Sequence, residues 1–190
     1  MGKSRLEAFS DGVIAIIITI MVLEMKVPHG TTLESLRPLI PVFVSYVLSF
    51  VFVGIYWNNH HHLFHAVRQV NGPALWANLL LLFWLSLIPF VTGWMGENEF
   101  ATLTVAFYGG VLFMAALAYF NLVRVLVKGQ GADSALSRAV RNVRKEKLSL
   151  IAYGLAIPLA FVSEWIAMAI YIGIAGLWFV PDRRIESIVS

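Results

Sequence analysis

The sequence predicts an all-α membrane protein, with six transmembrane helices in one unit that spans residues 1–190. Of the 190 residues, 59% are hydrophobic and only 13% are charged, and the mean hydropathy is +0.78. Because a soluble domain carries charge on roughly a quarter of its residues, lipid must cover part of this surface. The chain also divides into long uncharged runs, each followed by a polar or charged break. This composition argues against a soluble enzyme.

The predicted helices follow these uncharged runs in order. A helix rises about 1.5 Å per residue and the hydrocarbon core is about 30 Å thick, so the second, third and fourth runs cross the membrane easily. The first, fifth and sixth runs are shorter, and they need charged flanks at the interface or shielding by neighbouring helices. The predicted spans are residues 5–27, 38–60, 74–94, 100–126, 147–163 and 164–181.

The distribution of basic residues predicts that both termini are cytoplasmic. Lys and Arg stay in the cytoplasm when short loops cross a membrane, and in this orientation only Lys26 and Arg37 of the 14 lie outside. The pI of about 9.3 therefore reports topology, and no nucleic-acid partner is expected. We expect the cell membrane, the inner membrane in a bacterium. A cleaved signal peptide is a competing interpretation of the N-terminus, but no A-x-A-like site follows Leu23.

The first span is the least suited to face lipid. Asp11 lies within or next to the bilayer, where an isolated carboxylate costs about 2.5–3.5 kcal/mol, so it needs a partner or water. Ile16, Ile20 and Leu23 are spaced so that they share one stripe of a helix, with Thr19 at its edge. A stripe of this kind usually packs in a core, so periodicity alone leaves its role open.

Three segments carry a resemblance to a known family. Arg5–Asp11 matches the R-x-x-x-F-S-D signature that opens the first helix of the transmembrane protein 175 family of potassium channels, known from endolysosomes and bacteria. Trp57–Phe64 resembles the W-x-N-H-H-x-L-F pattern of that family, and Asn78–Phe90 resembles its third helix. The length resembles the bacterial members, which have one six-helix unit per chain and assemble as tetramers.

The resemblance implies a homotetrameric potassium channel whose first helices line a central pore. Carried over by position, the constriction falls on Ile16, Ile20 and Leu23, and ion selectivity falls on Thr19. A tetramer turns each position into a ring of four. Glu24 follows the stripe and is the candidate pore entrance, because carboxylates attract cations. Potassium ions would permeate passively through a hydrophobic gate, and no cofactor is expected.

Polar and aromatic residues at the cytoplasmic ends of the first three helices are predicted to form an inter-helix polar network, as the resemblance suggests. Such a network would hold the pore helix in register, because buried polar groups require partners. Its predicted members are Arg5, Phe9, Ser10, Asp11, Trp57, Asn59, His60, His61 and Asn78.

Three other interpretations stay open at this point. A proton-coupled secondary transporter would use Asp11 and the region of His60 and His61. A metal site would use the helical spacing of His61 and His65, although no carboxylate of ligand spacing accompanies them and no metal is expected. A structural membrane protein would conduct nothing. An enzyme is not expected, because the sequence contains neither G-x-S-x-G nor H-E-x-x-H.

Overall fold

The fold consists of helices throughout the part of the chain that the computed structural model describes, which is residues 2–131, 134, 136–137 and 144–179. These residues contain no β-strand, so the all-α prediction is confirmed for them. Of the predicted single unit, residue 1 and residues 180–190 lie outside the described residues. They include residues 180–181 of the last predicted span. The helices are α1 (Lys3–Leu23), α2 (Ile40–His65), α3 (Gly72–Ser86), α4 (Ile88–Glu97), α5 (Thr102–Gln130), α6 (Arg144–Ala160) and α7 (Glu164–Phe179), and a 3-10 helix, Leu33–Leu39, precedes α2.

Several helical stretches have the length and composition of membrane spans. Among the described residues these are Lys3–Leu23, Leu33–His65, Gly72–Glu97 and Thr102–Gln130, while α7 is apolar but shorter. The first span ends at Leu23 instead of residue 27, and the second continues to His65 instead of residue 60. The chain is therefore a membrane protein whose longest spans lie in its first two thirds.

The third predicted span, residues 74–94, is broken at Leu87. Pro89 is the second residue of α4 and has no N–H to donate, so the hydrogen-bond ladder cannot continue through it. The chain makes a tight turn instead, in which the Leu87 N–H donates to the Trp84 carbonyl at 3.3 Å. As a result the two halves meet different neighbours: α3 packs mainly against α5 and α1, whereas α4 packs mainly against α2.

Helix α5 lies at the centre of the bundle, where it contacts α3, α4, α6 and α7. Small residues permit this close packing, as is usual between membrane helices. At Gly109 an added Cβ would overlap with the hydroxyl of Tyr171 from α7. A buried cluster of hydroxyls also joins α5 to α2 and α4, because Ser49 Oγ lies 2.6 Å from Thr92 Oγ1 and 3.0 Å from the Tyr108 hydroxyl. These groups satisfy one another where water is absent.

Helix α1 lies at the edge of the same bundle, and its main contacts are with α2, α3 and α4. One face of α1 is buried against them, and its residues recur every three or four positions as helical geometry requires. They are Leu6, Ser10, Ile14, Ile17 and Met21. The opposite face of α1 has no contact within the protomer that buries it, and this face carries the predicted pore residues Ile16, Thr19, Ile20 and Leu23.

Candidate pore-lining site

The predicted constriction residues lie together on the uncovered face of α1. The exposed fraction is 59% for Ile16, 40% for Ile20 and 74% for Leu23, whereas Ile14 and Ile17 on the buried face are 1% and 3% exposed. Helix α1 is thus apolar on both sides, with one side packed in the protomer and the other open. In one copy the open side is available to acyl chains or to other copies of the chain.

Two further residues on the open face have features suited to ions and to close helix approach. The Thr19 hydroxyl donates its hydrogen to the Ala15 carbonyl at 2.8 Å, so the lone pairs of its oxygen remain free to accept or to face a cation. Gly12, one turn before Ile16, would meet nothing within 4 Å if it carried a Cβ. Open space therefore continues along α1 from Gly12 to Leu23.

Glu24 caps the end of α1, but its carboxylate leans toward α4 of its own protomer. The Glu24 Oε2 atom lies 3.3 Å from the position that a Cβ on Gly93 would occupy. Glu24 and Glu97 line a cavity of about 320 Å³ between α1, α2 and α4. Nearby, Lys26 Nζ forms an exposed ion pair of 2.8 Å with Glu97 Oε1. This end of α1 therefore carries more negative than positive charge.

The structure brings three predicted network residues into a buried triad, Ser10, His60 and Asn78. Asn78 Nδ2 donates to Ser10 Oγ at 2.9 Å, and His60 Nε2 lies 2.8 Å from Asn78 Oδ1. With the Asn78 oxygen as acceptor, His60 Nε2 carries the hydrogen. Ser10 Oγ in turn donates to the Leu6 carbonyl at 2.9 Å. Because no member is more than 1% exposed, the buried triad joins α1, α2 and α3 without solvent.

Asp11 and Trp57 form a separate contact at the protomer surface. Trp57 Nε1 donates to Asp11 Oδ1 at 3.1 Å, and the Trp57 ring stacks on His61 with centroids 6.3 Å apart. Both Asp11 and Trp57 are exposed within one copy. This contact gives the carboxylate of the first span a partner, as its position in the membrane requires.

Other predicted network members are not part of either group. Phe9 is 49% exposed, and Arg5 is exposed with no side-chain hydrogen bond to any described residue. Asn59 takes part in other contacts: its Nδ2 donates to the Ile55 backbone carbonyl at 2.8 Å, and its backbone carbonyl accepts from the Tyr119 hydroxyl of α5 at 3.3 Å. Asn59 thus lies on a different side of α2 from the buried triad.

The histidines after the triad form a group at the end of α2. The ring of His61 lies 5.6 Å from that of His62 and 6.3 Å from that of His65, measured between centroids. Lys3 Nζ donates to the His65 carbonyl at 3.2 Å. Within the described ranges, no group of three or more His, Asp or Glu side chains has the geometry to hold a metal ion. The structure therefore offers the metal interpretation no support.

The sequence-based prediction missed the hydroxyl cluster of Ser49, Thr92 and Tyr108 and the contact of Glu24 with α4. Ser45 and Ser49 are two serines four residues apart in an otherwise apolar run, which is a signal that this side of α2 meets polar groups. Gly93 and Gly96 in the second half of the third span are a signal of close approach. At Gly96, an added Cβ would lie 2.7 Å from the Cα atom of Val42 in α2.

Comparisons with known proteins place the chain in a family. Residues 5–89 match the model of a family described as endosomal/lysosomal potassium channel TMEM175. A protein from Chryseobacterium sp. (strain P1-3), named a potassium channel, is 54% identical over 186 residues, covering 98% of this chain and 97% of the relative. A second protein named a potassium channel, from Streptomyces collinus, is 33% identical and covers 96% of each chain.

A solved structure shares the fold. It is the crystal structure of a lysosomal potassium-selective channel TMEM175 homolog from Chamaesiphon minutus. The likeness covers 95% of this chain and 97% of that chain, with 28% sequence identity and a TM-score of 0.82. The arrangement of helices around α5, with α1 at the edge, is therefore shared with a membrane channel.

Proposed function

The chain belongs to the TMEM175 family, and we propose on that premise that it is a potassium-selective ion channel. The observation that carries this proposal is the uncovered apolar face of α1, where Ile16, Ile20 and Leu23 are exposed in a single copy. The relatives that match along nearly the whole chain are named potassium channels. The function requires no catalytic residue and no cofactor.

The pore forms when the uncovered faces of four α1 helices meet around a common axis. In this homotetramer each of Ile16, Ile20 and Leu23 becomes a ring of four side chains, as closed rotational symmetry requires. The apolar rings narrow the path to a hydrophobic gate, which controls permeation through the cost of dehydrating the ion. Potassium ions cross passively, and the other faces of the protomer contact lipid.

Selectivity for potassium resides at Thr19 in this proposal. The hydroxyl hydrogen is held by the Ala15 carbonyl, so four hydroxyl oxygens can direct lone pairs toward the axis and replace part of the hydration shell. The chain contains no Thr-Val-Gly-Tyr-Gly segment, so a carbonyl cage of that kind does not contribute. Selectivity then depends on hydroxyl oxygens, pore radius and partial dehydration.

The buried triad acts as the positioning element for the pore helix. A rotation of α1 about its axis would move the constriction rings and would also break the hydrogen bond from Asn78 to Ser10. A buried polar group without a partner costs about 1–3 kcal/mol, so the triad favours one rotational setting of α1.

The protein resides in the cell membrane, the inner membrane in a bacterium, with both termini in the cytoplasm.

Potassium flux into liposomes tests this function, with matched substitutions on two helices. Ile16→Asn places a polar ring in the neck and hydrates it, so we expect a higher potassium flux than in the parent protein. Ile151 on α6 has nearly the same exposed fraction, 61%, and Ile151→Asn is the control that leaves the flux unchanged.

Equal flux in Ile16→Asn, Ile151→Asn and the parent protein would remove α1 from the permeation path. The same liposomes, measured without a proton gradient, separate the channel from a proton-coupled transporter that uses Asp11. A channel continues to pass potassium in that condition, whereas a coupled transporter stops.

A further inference from the structure

The open face of α1 continues past the constriction residues to the beginning of the helix. Arg5 and Phe9 are exposed in one copy of the chain, whereas Leu6 between them is buried. The stretch from Arg5 to Leu23 corresponds to about five complete turns of 3.6 residues, and α1 runs through it without interruption. Arg5 and Leu23 therefore lie in line on the same face of the helix.

Neither acid near the beginning of α1 shares the face of Arg5. At about 100° per residue, Glu7 and Asp11 point about 160° and about 120° away from Arg5 around the helix. Glu7 is partly buried in the protomer, and Asp11 accepts a hydrogen bond from Trp57 Nε1. The open face therefore carries a positive charge here, and α1 itself places no carboxylate beside it.

Two basic side chains extend from the beginning of α1, and they have different surroundings. Lys3 reaches the end of α2, where its Nζ donates to the His65 carbonyl at 3.2 Å. Arg5 is exposed, and its side chain makes no hydrogen bond or ion pair with any residue that the structure describes. The five N–H donors of its guanidinium group are therefore available to a ligand outside the protomer.

In the proposed tetramer, four copies of Arg5 surround the end of the pore where α1 begins, and we call them the Arg5 ring. This step rests on the proposed function, because a shared axis is what brings the four guanidinium groups together. Phe9, one turn further along the same face, is 49% exposed and forms an aromatic ring of four next to them. Four like charges at one mouth repel one another and repel potassium, so they favour a counter-anion.

We propose that the Arg5 ring binds a soluble, multivalent anion that carries several phosphate groups. A guanidinium group presents a planar fork of donors that matches two phosphate oxygens at once, and rings of Arg or Lys line pores that accept phosphate. An anion with several phosphates contacts several copies of Arg5 together, so it binds more tightly than a single phosphate does. The apolar neck beyond Phe9 excludes such an anion, which stays at the mouth and obstructs potassium.

Tripolyphosphate is the probe, and isothermal titration calorimetry measures its binding to the purified full-length chain in detergent and potassium-containing buffer. We expect saturation at one tripolyphosphate for four chains, because one ring serves four protomers. Inorganic phosphate should bind about tenfold more weakly or worse. Arg5→Gln should weaken the binding of tripolyphosphate by about tenfold or more, since it removes charge-assisted hydrogen bonds from every copy.

Two further variants serve as controls. Arg68→Gln removes another exposed positive charge near the end of α2, the same end that Lys3 reaches, and it should bind tripolyphosphate as the parent does. Arg5→Lys keeps the charge but loses the fork, so its affinity should lie between those of the parent and Arg5→Gln. Arg5→Lys also provides the test if Arg5→Gln does not form a tetramer.

Several results would overturn the proposal. They are saturation at one tripolyphosphate per chain, equal weakening by Arg68→Gln, and unchanged binding in both Arg5 variants. Displacement of tripolyphosphate by phosphatidylglycerol in the micelles, but not by phosphatidylcholine, would assign the ring to lipid headgroups and would overturn a soluble ligand.

Potassium flux into liposomes separates this proposal from the channel function. Tripolyphosphate on the side where α1 begins should lower the flux of the parent protein and leave that of Arg5→Gln unchanged. A parent that passes potassium but binds no tripolyphosphate would contradict the Arg5 ring alone. A parent that binds one tripolyphosphate for four chains but passes no potassium would contradict the channel function alone.

Discussion

Helices α1 and α5 are both long and apolar, yet they meet opposite surroundings. Helix α5 packs against α3, α4, α6 and α7, and Gly109 makes room for the Tyr171 side chain. Helix α1 is packed on one face and open on the other, where Ile16 and Leu23 are exposed. The difference teaches that helices of similar hydropathy can serve two purposes. The apolar side chains of α5 build the protomer, whereas one apolar face of α1 stays available for contacts between protomers.

The largest expected effect is on the packing of α5. In Gly109→Ala the new methyl group overlaps with the buried Tyr171 hydroxyl, and such overpacking costs about 1–3 kcal/mol. We therefore expect a clearly lower melting temperature in detergent. Gly110→Ala is the neighbouring control, because a Cβ there meets nothing within 4 Å. Equal melting temperatures for the two variants would show that α5 is not the tightly packed helix.

The next effect concerns the attachment of α1 to the bundle. Asn78→Leu has a side chain of similar size but leaves Ser10 and His60 without their partner, at a cost of about 1–3 kcal/mol. We expect both a lower melting temperature and a changed potassium flux, because the rotational setting of α1 relaxes. Asn121→Leu, on an exposed position of α5, should change neither quantity. An unchanged flux in Asn78→Leu would separate the triad from the pore.

A smaller effect is expected on the open face of α1, where a substitution should change potassium flux without lowering stability. Gly12→Ala and Gly173→Ala both place a methyl group in open space within the protomer, and each should leave stability unchanged or raise it by up to about 1 kcal/mol. Only Gly12→Ala should lower potassium flux, since it narrows the space between four α1 helices. A flux reduction in Gly173→Ala as well, or in neither variant, would contradict the assignment of the open face.

The smallest effect is expected just after the C-terminal end of α1. Lys26→Gln breaks the exposed ion pair with Glu97, and exposed pairs contribute less than about 1 kcal/mol. Melting temperature should hardly change, while potassium flux should rise modestly at low ionic strength because one positive charge near Glu24 is lost. High salt should abolish the rise by screening. A rise that persists in high salt would require an explanation other than charge.

Much of the fold was predictable because the membrane imposes length and polarity on each span. The uncharged runs located the helices, and the resemblance placed Ser10, His60 and Asn78 in one network, which the structure brings together. The break at Leu87 was not predicted from run length, although Pro89 is visible in the sequence and explains it. The length of an apolar run shows whether that run can cross a bilayer. The position of a proline decides whether the crossing is one continuous helix.

The orientation of individual side chains was less predictable. Asn59 and His60 are adjacent, so they point about 100° apart around α2, and a motif that contains both does not say which one meets α1. Glu24 follows the pore stripe in sequence, but the gap at Gly93 lets its carboxylate lean onto α4. In both cases the direction of the side chain depends on the space that a neighbouring helix leaves, and a sequence motif does not contain that information.

The interruption at Leu87 has a consequence for how this protein can change during evolution. The N-terminal half of α1 is held to α3 through Asn78, whereas the Glu24 carboxylate at its C-terminal end lies beside Gly93 of α4. Since α3 packs mainly against α5 and α1 while α4 packs mainly against α2, a substitution in one need not disturb the main contacts of the other. Substitutions in residues 88–97 can thus accumulate while the hydrogen bond between Asn78 and Ser10 is kept, so the surroundings of the two ends of α1 can diversify at different rates.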